Sequence, residues 1–304
     1  MTSASGTAAP VVPAWRRRLR PYLLSVPAVA VVIGILFPFV SGAYYTLLDY
    51  SAGNTNVQVI WFDNFRDVLS DSALWHSVWV TIEYALLATV VETVLGIGIA
   101  LLLNRSTLIG RIFEKVLILP LMIAPVIAAT VWKLMFDSNF GILNHVLGLG
   151  HSYNWLGKDN ALFSAVLVDI WIYTPFVAIL VLAGIRSLPQ EPFEASDVDG
   201  AGPIYMFRRL MLPMMYPYVL VAVIFRLMDC LKIFDIIYVL TTGGPGTATT
   251  TLQVNAFEDS IIHFNYSRGS TYMFLLWIIV FIAARFLVAV LGKAQRRAAG
   301  AEEA

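Results

Sequence analysis

Long runs of apolar residues alternate with short polar stretches along most of this 304-residue chain. Six of these runs are long enough to cross the hydrocarbon core of a bilayer, about 30 Å thick, as helices. We place the predicted spans at Tyr22–Leu48, Val78–Leu103, Phe113–Phe136, Leu162–Ile185, Met214–Leu240 and Tyr272–Leu291. The pattern therefore predicts an all-α integral membrane protein with six transmembrane helices.

Proline occurs inside four of the six predicted spans. A proline in a membrane helix removes a backbone donor and bends the helix, and the freed carbonyl groups bond to neighbouring helices or water. These prolines include Pro38, Pro120, Pro125, Pro175 and Pro217. We therefore expect kinked helices.

Composition supports the same class of protein. Apolar residues make up 59% of the chain and charged residues 13%, whereas an ordinary soluble domain is about 25% charged. The chain has 20 Lys and Arg against 20 Asp and Glu, so its net charge gives no reason to expect a nucleic-acid partner. Cys230 is the single cysteine, which excludes an intrachain disulfide or a thiolate metal cluster. We expect it to be a small buried side chain.

The positions of the basic residues predict the orientation of the spans. They concentrate at both termini and in the second and fourth connections: Arg16, Arg17, Arg18, Arg20, Arg105, Arg111, Lys115, Arg186, Arg208, Arg209, Lys293, Arg296 and Arg297. The other connections hold only Arg66, Lys158 and Arg268, with Lys133 near a helix end. Because loops rich in lysine and arginine stay in the cytoplasm, we expect a multi-pass protein of the cell (inner) membrane with both termini cytoplasmic.

The hydropathy pattern divides the chain into three parts. These are a cytoplasmic N-terminal tail at 1–20, a six-helix transmembrane domain at 21–293 and a cytoplasmic C-terminal tail at 294–304. Residues before Trp15 are rich in Ala, Ser, Thr and Pro, and we predict that they are disordered. The first apolar run is too long for a cleaved signal peptide, so we expect it to remain in the protein.

Two outer connections are predicted to contain short helices. Apolar residues at i, i+3, i+4 spacing within 65–75 predict an amphipathic helix, with Trp75 as an interfacial anchor. Glycines and a proline in Thr241–Gly246 predict a turn, and Leu252–Phe264 predicts a second short helix.

A polar cytoplasmic loop at about 187–213 is predicted to form a helix, a bend and a second helix. Pro189 and Pro192 mark the first helix start, Gly200 can adopt φ > 0 and end that helix, and Pro203 can begin the next. The loop also carries apolar residues that we expect to be exposed: Phe193, Ile204, Tyr205 and Phe207. Such a surface indicates a docking site for another protein, and the alternative is an amphipathic connector lying on the lipid.

Two motifs resemble those of known transporters. Glu194-Ala195-Ser196, with Gly200 six residues after the glutamate and Pro213 thirteen after the glycine, resembles the EAA loop of binding-protein-dependent ABC importer permeases. Ser196 stands where the second alanine is usual, but it is also small. The segment Phe234–Pro245 resembles the FD-x-x-Y-x-LT-x-GGP segment of the carbohydrate permeases, in particular of the MalF-like half. The region from Asn64 to Trp75 also fits the first outer loop of that family.

The resemblance implies a type I ABC importer permease fold and a role in moving a sugar or sugar-like solute into the cytoplasm. Its implied partners are a second, MalG-like permease, two P-loop ATPase subunits and an extracytoplasmic solute-binding protein. ATP and Mg²⁺ would be bound by the ATPase subunits, because this chain has no G-x-x-x-x-G-K-[ST] motif. The residues implied in coupling to the ATPase are Glu194, Ala195, Ser196, Asp199, Gly200, Ala201 and Phe207. We refer to residues 187–213 as the coupling loop.

Charged residues inside the spans are the candidates for a substrate pathway. Arg226, Asp229, Lys232 and Asp235 recur every third residue, so on one helix they would fan over about half of the circumference. They form either a self-neutralising ladder or part of a polar cavity, and each unpaired charge would cost roughly 2.5–3.5 kcal/mol at the bilayer centre.

An acidic residue of the fourth span is a further candidate. Asp169 lies near Tyr173, and a carboxylate beside aromatic rings can hold a sugar, although interhelical hydrogen bonding is the alternative. Glu92 lies near Gly96 and Gly98, and we expect it to serve helix packing.

No arrangement of residues indicates an enzyme. The histidines are scattered at 76, 145, 151 and 263, and no catalytic triad or metal-ligand spacing is found, so we expect neither catalytic residues nor a metal site. The functional alternative is an ion- or proton-coupled secondary transporter that uses the charges from Arg226 to Asp235 as a relay. A membrane-bound enzyme subunit is a third possibility, but it lacks candidate active-site residues.

Overall fold

The computed structural model describes residues 14–104, 107–150 and 153–298 as an assembly of helices with short connections. The α-helices are α1 (Ala14–Tyr45), α2 (Asp63–Ser70), α3 (Ser72–Leu103), α4 (Leu108–Leu117), α5 (Pro125–Met135), α6 (Ile142–Leu147), α7 (Ala161–Arg186), α8 (Glu191–Val198), α9 (Pro203–Met206), α10 (Leu212–Leu231), α11 (Asp235–Thr241), α12 (Leu252–Phe257) and α13 (Tyr266–Ala298). A 3₁₀ turn at Leu119–Met122 and π-helical segments at Phe207–Met211 and Glu258–Ile262 complete them.

Four predicted spans are confirmed as continuous helices, namely α1, α3, α7 and α13. The backbone of α1 begins at Ala14, so residues 14–20, predicted as a tail, are helical. The disorder predicted before Trp15 and the end of the C-terminal tail lie outside the described residues, as do Arg105 and His151.

The prediction that Phe113–Phe136 forms a single helix is wrong. The chain instead forms α4, the 3₁₀ turn and α5, with a bend of 94° between the two parts. Pro120 cannot donate to a helical hydrogen bond, and Pro125 holds the preceding Ala124 in an extended conformation (φ −61°, ψ 135°). The two prolines therefore break the span where the sequence analysis expected a kink.

The fifth predicted span, Met214–Leu240, is also two helices. α10 ends at Leu231, the backbone is irregular at Lys232 and Phe234, and α11 begins at Asp235. The four charges from Arg226 to Asp235 therefore do not lie on one helix. In the other direction, α9, the π-helical segment and α10 form one continuous helical stretch of 29 residues, Pro203–Leu231, so that the coupling loop leads directly into the membrane helix.

The core forms where α3, α7 and α10 pack together, with α13 against α10. Small residues on both helices allow this close approach: Ala85 and Ala88 of α3 and Ala165 and Ala178 of α7 are fully buried. At Gly96 of α3, a Cβ atom would lie 2.6 Å from Cγ1 of Val177 on α7, so only glycine fits. Helix α1 contacts α13, and between Tyr22 and Tyr44 it carries many exposed apolar residues.

The outer connections form a second packed layer against α13. α2 confirms the short helix predicted within 65–75, although Trp75 belongs to α3, and Val68 is fully buried. α12 and the following π-helical segment confirm the prediction for Leu252–Phe264. Arg268 ties this layer together by pairing with Asp71 and Asp259. The turn predicted at Thr241–Gly246 is present, with φ of 51° at Thr242, 88° at Gly243 and 61° at Gly246.

Candidate functional site

A cluster of charged side chains is buried between α3, α7 and α10. Arg226 of α10 donates from Nε to Oε2 of Glu92 on α3 at 2.6 Å and from Nη2 to Oε1 of the same carboxylate at 3.0 Å. Nη2 also donates to Oδ2 of Asp169 on α7 at 2.9 Å. All three side chains are at most 1% exposed. One guanidinium thus joins three membrane helices.

Two further residues complete this group. The guanidinium carbon of Arg226 lies 4.0 Å from the centre of the Tyr173 ring, a cation–π contact. Nη2 of Arg226 lies 3.2 Å from Sγ of Cys230, and this thiol donates to Oδ2 of Asp169 at 3.4 Å. We refer to Glu92, Asp169, Tyr173, Arg226 and Cys230 as the charge cluster.

The acidic members of the charge cluster resemble a set of metal ligands only in their spacing. Oxygen atoms of Glu92 and Asp169 and the sulfur of Cys230 all lie within 4.8 Å of one another. The guanidinium of Arg226 bonds to all three, so it takes the central position that a cation would need. Arginine therefore supplies the positive charge of this group.

The remaining predicted pathway residues are more exposed than Arg226, Glu92 and Asp169. Asp229 is 59% exposed, and its carboxylate is 3.7 Å from both Nη1 of Arg226 and Nζ of Lys232. Lys232 is itself half exposed at the end of α10, and Asp235 is exposed at the start of α11. Tyr173 is half-buried. The structure thus separates a buried subset from an exposed one.

Sequence reasoning missed the role of Glu92. The sequence predicted a role in helix packing for Glu92. In the structure, both of its carboxylate oxygens accept hydrogen bonds from Arg226, 134 residues away. Two charges of opposite sign in different apolar spans are a signal for such a pair, but the sequence offers several carboxylates and does not rank them. Cys230 is buried as predicted, and it also takes part in hydrogen bonds.

The coupling loop has the predicted helix–bend–helix form. α8 ends in a Schellman motif, in which N–H of Gly200 donates to the carbonyl of Asp197 at 3.1 Å and N–H of Ala201 donates to that of Ser196 at 3.0 Å. Gly200 has φ +74°, which a residue without a Cβ adopts readily. Glu194 lies in the first turn of α8, where negative charge suits the helix dipole.

The exposed surface of the coupling loop differs in part from the prediction. Ile204 and Tyr205 are exposed as expected, and Val198 is 88% exposed. The expectation for Phe193 and Phe207 is wrong, because both are half-buried against the core cluster around Leu188, Val181 and Met215. The turn between α8 and α9 aims these two rings inwards. Ser196 is buried, while Glu194, Ala195 and Asp199 are exposed.

Salt bridges show which connections share a side of the molecule. Arg186, at the end of α7, makes a bidentate bridge to Glu114 of α4 at 3.1 and 2.9 Å. The second and fourth connections therefore lie at the same end. The bond of Arg268 to Asp71 likewise joins the first and last outer connections at the opposite end of α3.

The fold and the two sites describe a protein with several membrane-spanning helices, a polar loop between two of them and a charged interior, an arrangement typical of transport permeases. The family profile described as "Binding-protein-dependent transport system inner membrane component" matches residues 92–298, and the chain belongs to this family. It is a permease subunit of an ABC importer rather than an enzyme, and ATP hydrolysis belongs to a separate subunit. The secondary-transporter alternative is therefore set aside.

Curated relatives cover nearly the whole chain. The chain is 36% identical over 278 residues to a probable ABC transporter permease of Sinorhizobium fredii, covering 88% of this chain and 89% of that one. It is 35% identical over 266 residues to the trehalose/maltose transport system permease protein MalF of Thermococcus litoralis, with 85% and 89% covered. It is 31% identical over 290 residues to the sulfoquinovosyl glycerol transport system permease protein SmoG of Agrobacterium fabrum, with 92% and 93% covered.

A solved structure shares the fold. A chain of a bacterial ABC transporter that imports the acidic polysaccharide alginate superposes with a TM-score of 0.80 at 20% identity, covering 91% of this chain and 96% of that chain. The predicted ABC importer permease fold is confirmed.

Proposed function

We propose that this chain carries a sugar or sugar-like solute across the inner membrane and that the coupling loop transmits movement of an ATPase to the membrane helices. The observation that carries the coupling role is the exposed apolar surface of Val198, Ile204 and Tyr205 around the bend at Gly200. Apolar side chains on a polar loop favour a protein partner. The continuous helical stretch from Pro203 to Leu231 gives the loop a rigid connection to α10.

The substrate class is supported by the relatives. Two of them are named as permeases of a trehalose/maltose transport system and of a sulfoquinovosyl glycerol transport system. The chain offers suitable chemistry in Tyr173, Asp229, Lys232 and Asp235, which combine an aromatic face with partly exposed polar groups. Asp169 and Arg226 are buried, so we assign them the positioning of Tyr173 rather than direct contact with the solute.

The partners follow from the proposed role. They are a second, MalG-like permease that pairs with this chain, two P-loop ATPase subunits that bind ATP and Mg²⁺, and an extracytoplasmic solute-binding protein. A related alginate importer has been solved in complex with its periplasmic solute-bound protein. This chain itself needs no cofactor in such an arrangement. Both termini and the coupling loop are assigned to the cytoplasm, which is supported by the shared side of the second and fourth connections.

The test of the coupling role is a set of substitutions at the bend. Gly200→Val places a β-branched residue at φ +74°, whereas Gly200→Asn keeps a residue that tolerates this conformation. Among the described residues, a Cβ built at Gly200 or Gly202 has no atom within 4 Å beyond its chain neighbours, so the first atom of each new side chain meets open space. Gly202→Ala, at φ −69°, is the matched control.

We expect Gly200→Val to lose most substrate-stimulated ATPase activity of the assembled importer, Gly200→Asn to keep a large part of it, and Gly202→Ala to be unchanged. Full stimulation in Gly200→Val would overturn the coupling role. The importer assignment itself is tested by isolating the chain from its native membrane in mild detergent. A co-purifying P-loop ATPase and second permease support it, whereas solute movement by the lone chain along an ion gradient contradicts it.

A further inference from the structure

A cleft of about 930 Å³ lies between the ends of α7, α10 and α13, next to the start of the coupling loop. Its polar lining includes Tyr216, Tyr218, Lys293 and Gln295. The tyrosines are half exposed, at 45% and 40% of their surface. Amphipathic rings of this kind are typical of the headgroup level of a bilayer.

Polar and apolar residues of the cleft are ordered by depth. Lys293 lies near the end of α13, and Val290 lies about one turn further into the membrane. On α10, Met214 is near the helix start and Val221 is about two turns deeper. The deepest lining residues, Val221 and Val290, are therefore apolar, and the polar side chains lie nearer the helix ends, which suits an acyl chain and its phospholipid headgroup. A sugar would need polar groups at depth.

The charge at the rim is positive. In the part of the chain that the structure describes, the recorded ion pairs involve other residues and leave Lys293 without a carboxylate partner. Arg208 and Arg209 are exposed just before α10, at the same end of that helix. Basic residues in a pocket between helices on the cytoplasmic side favour an anionic headgroup.

We propose that this cleft binds an anionic phospholipid of the inner leaflet. Its phosphate would lie at Lys293 between the two tyrosines, and an acyl chain would follow Val290 and Val221. Leu188, the second residue of the coupling loop, lines the same cleft, so the lipid would brace the point where α7 passes into that loop. This site is distinct from the solute pathway and adds a lipid ligand to the proposed function; its cytoplasmic position rests on the orientation assigned above.

The test is native mass spectrometry of the complete importer in mild detergent, titrated with phosphatidylglycerol or phosphatidylcholine. Lys293→Gln removes the rim charge, and Arg296→Gln on the same helix is the matched control, because Arg296 does not line the cleft. We expect tighter binding of phosphatidylglycerol, and about a fivefold loss of its affinity in Lys293→Gln, since one basic residue near an anionic surface contributes about 1 kcal/mol. Arg296→Gln should retain wild-type affinity.

A second variant separates the cleft from general surface charge. Val290→Trp fills the interior without changing charge, and it should reduce phosphatidylglycerol binding while the complex is recovered in normal yield. Equal binding of the two lipids, or equal loss in both charge variants, would overturn the proposal. Displacement of the lipid by millimolar inorganic phosphate or by sugar would also overturn it, because the cleft would then take a soluble ligand. Solute-stimulated ATPase activity is read separately, so failure of the lipid site leaves the transport role untouched.

Discussion

The charge cluster and the coupling loop use polar residues in opposite ways. In the charge cluster, Arg226 is 1% exposed and bonds to the buried carboxylates of Glu92 and Asp169. In the coupling loop, Glu194 and Asp199 are exposed, and the apolar Val198 and Ile204 are exposed beside them. Buried charges must be paired internally, whereas exposed apolar groups gain from a partner. The comparison separates residues that hold the permease together from residues that connect it to other subunits.

The largest effect is expected from removing Arg226. Arg226→Met leaves the carboxylates of Glu92 and Asp169 buried without their cation, which should destabilise the protein by about 3–5 kcal/mol. The measurement is thermal unfolding in detergent together with membrane yield. A triple variant, Arg226→Met with Glu92→Gln and Asp169→Asn, should recover much of the loss. An unchanged melting temperature in the single variant would contradict a structural role for the charge cluster.

The packing beneath the charge cluster is tested by a glycine pair on α3. Gly96→Ala brings a Cβ within 2.6 Å of Cγ1 of Val177 and should cost about 1–3 kcal/mol through overpacking. Gly98→Ala on the same helix meets open space, so it should be neutral or slightly stabilising. Similar melting temperatures for the two variants would mean that α3 and α7 can separate at no cost.

A pair of substitutions in the coupling loop compares a residue that stabilises the permease with a residue proposed to contact the ATPase. Phe207→Ala removes a half-buried ring from the core and should destabilise the chain by roughly 1–2 kcal/mol, less than a fully buried ring would. Ile204→Ala changes an exposed residue and should alter stability by less than about 0.5 kcal/mol while weakening ATPase association. Melting temperature and co-purification of the ATPase distinguish the two outcomes. Retention of the ATPase by Ile204→Ala would remove that residue from the proposed surface.

The smallest effect is expected at the bridge between Glu114 and Arg186. Both side chains are partly exposed, so Glu114→Gln should cost less than about 1 kcal/mol, and the wild-type bridge should weaken at high salt. Melting curves at low and high ionic strength measure this difference. A loss comparable to that of Arg226→Met would show that water does not reach the bridge.

Local signals in the sequence predicted the elements whose cause is local. The bend at Gly200, the start of α9 at Pro203 and the turn after Thr241 follow from the backbone preferences of single residues. The helix breaks at Pro125 and at Lys232 were harder to predict from the sequence, because hydropathy is continuous across them. A proline alone does not fix the angle of a bend. Apolar runs therefore predict which segments can enter a membrane better than they predict whether each segment is one continuous helix.

The candidate sites show the same limit. Arg226 and Asp169 stood out as charges in apolar spans, but their burial and their link to Glu92 depend on how three helices pack. Phe207 was predicted to be exposed because it lies in a polar loop, but it packs half-buried against the core. Pairing partners and facing directions are properties of tertiary structure.

The link from Arg226 to α3 and α7 also constrains how the permease can move. Because one guanidinium links three helices through charged hydrogen bonds, separating any of them would leave buried charges unpaired. We therefore expect α3, α7 and α10 to move together when the permease changes conformation. The irregular backbone at Lys232–Phe234 and the 94° corner between α4 and α5 lie outside this link, and we expect the movement to be taken up there.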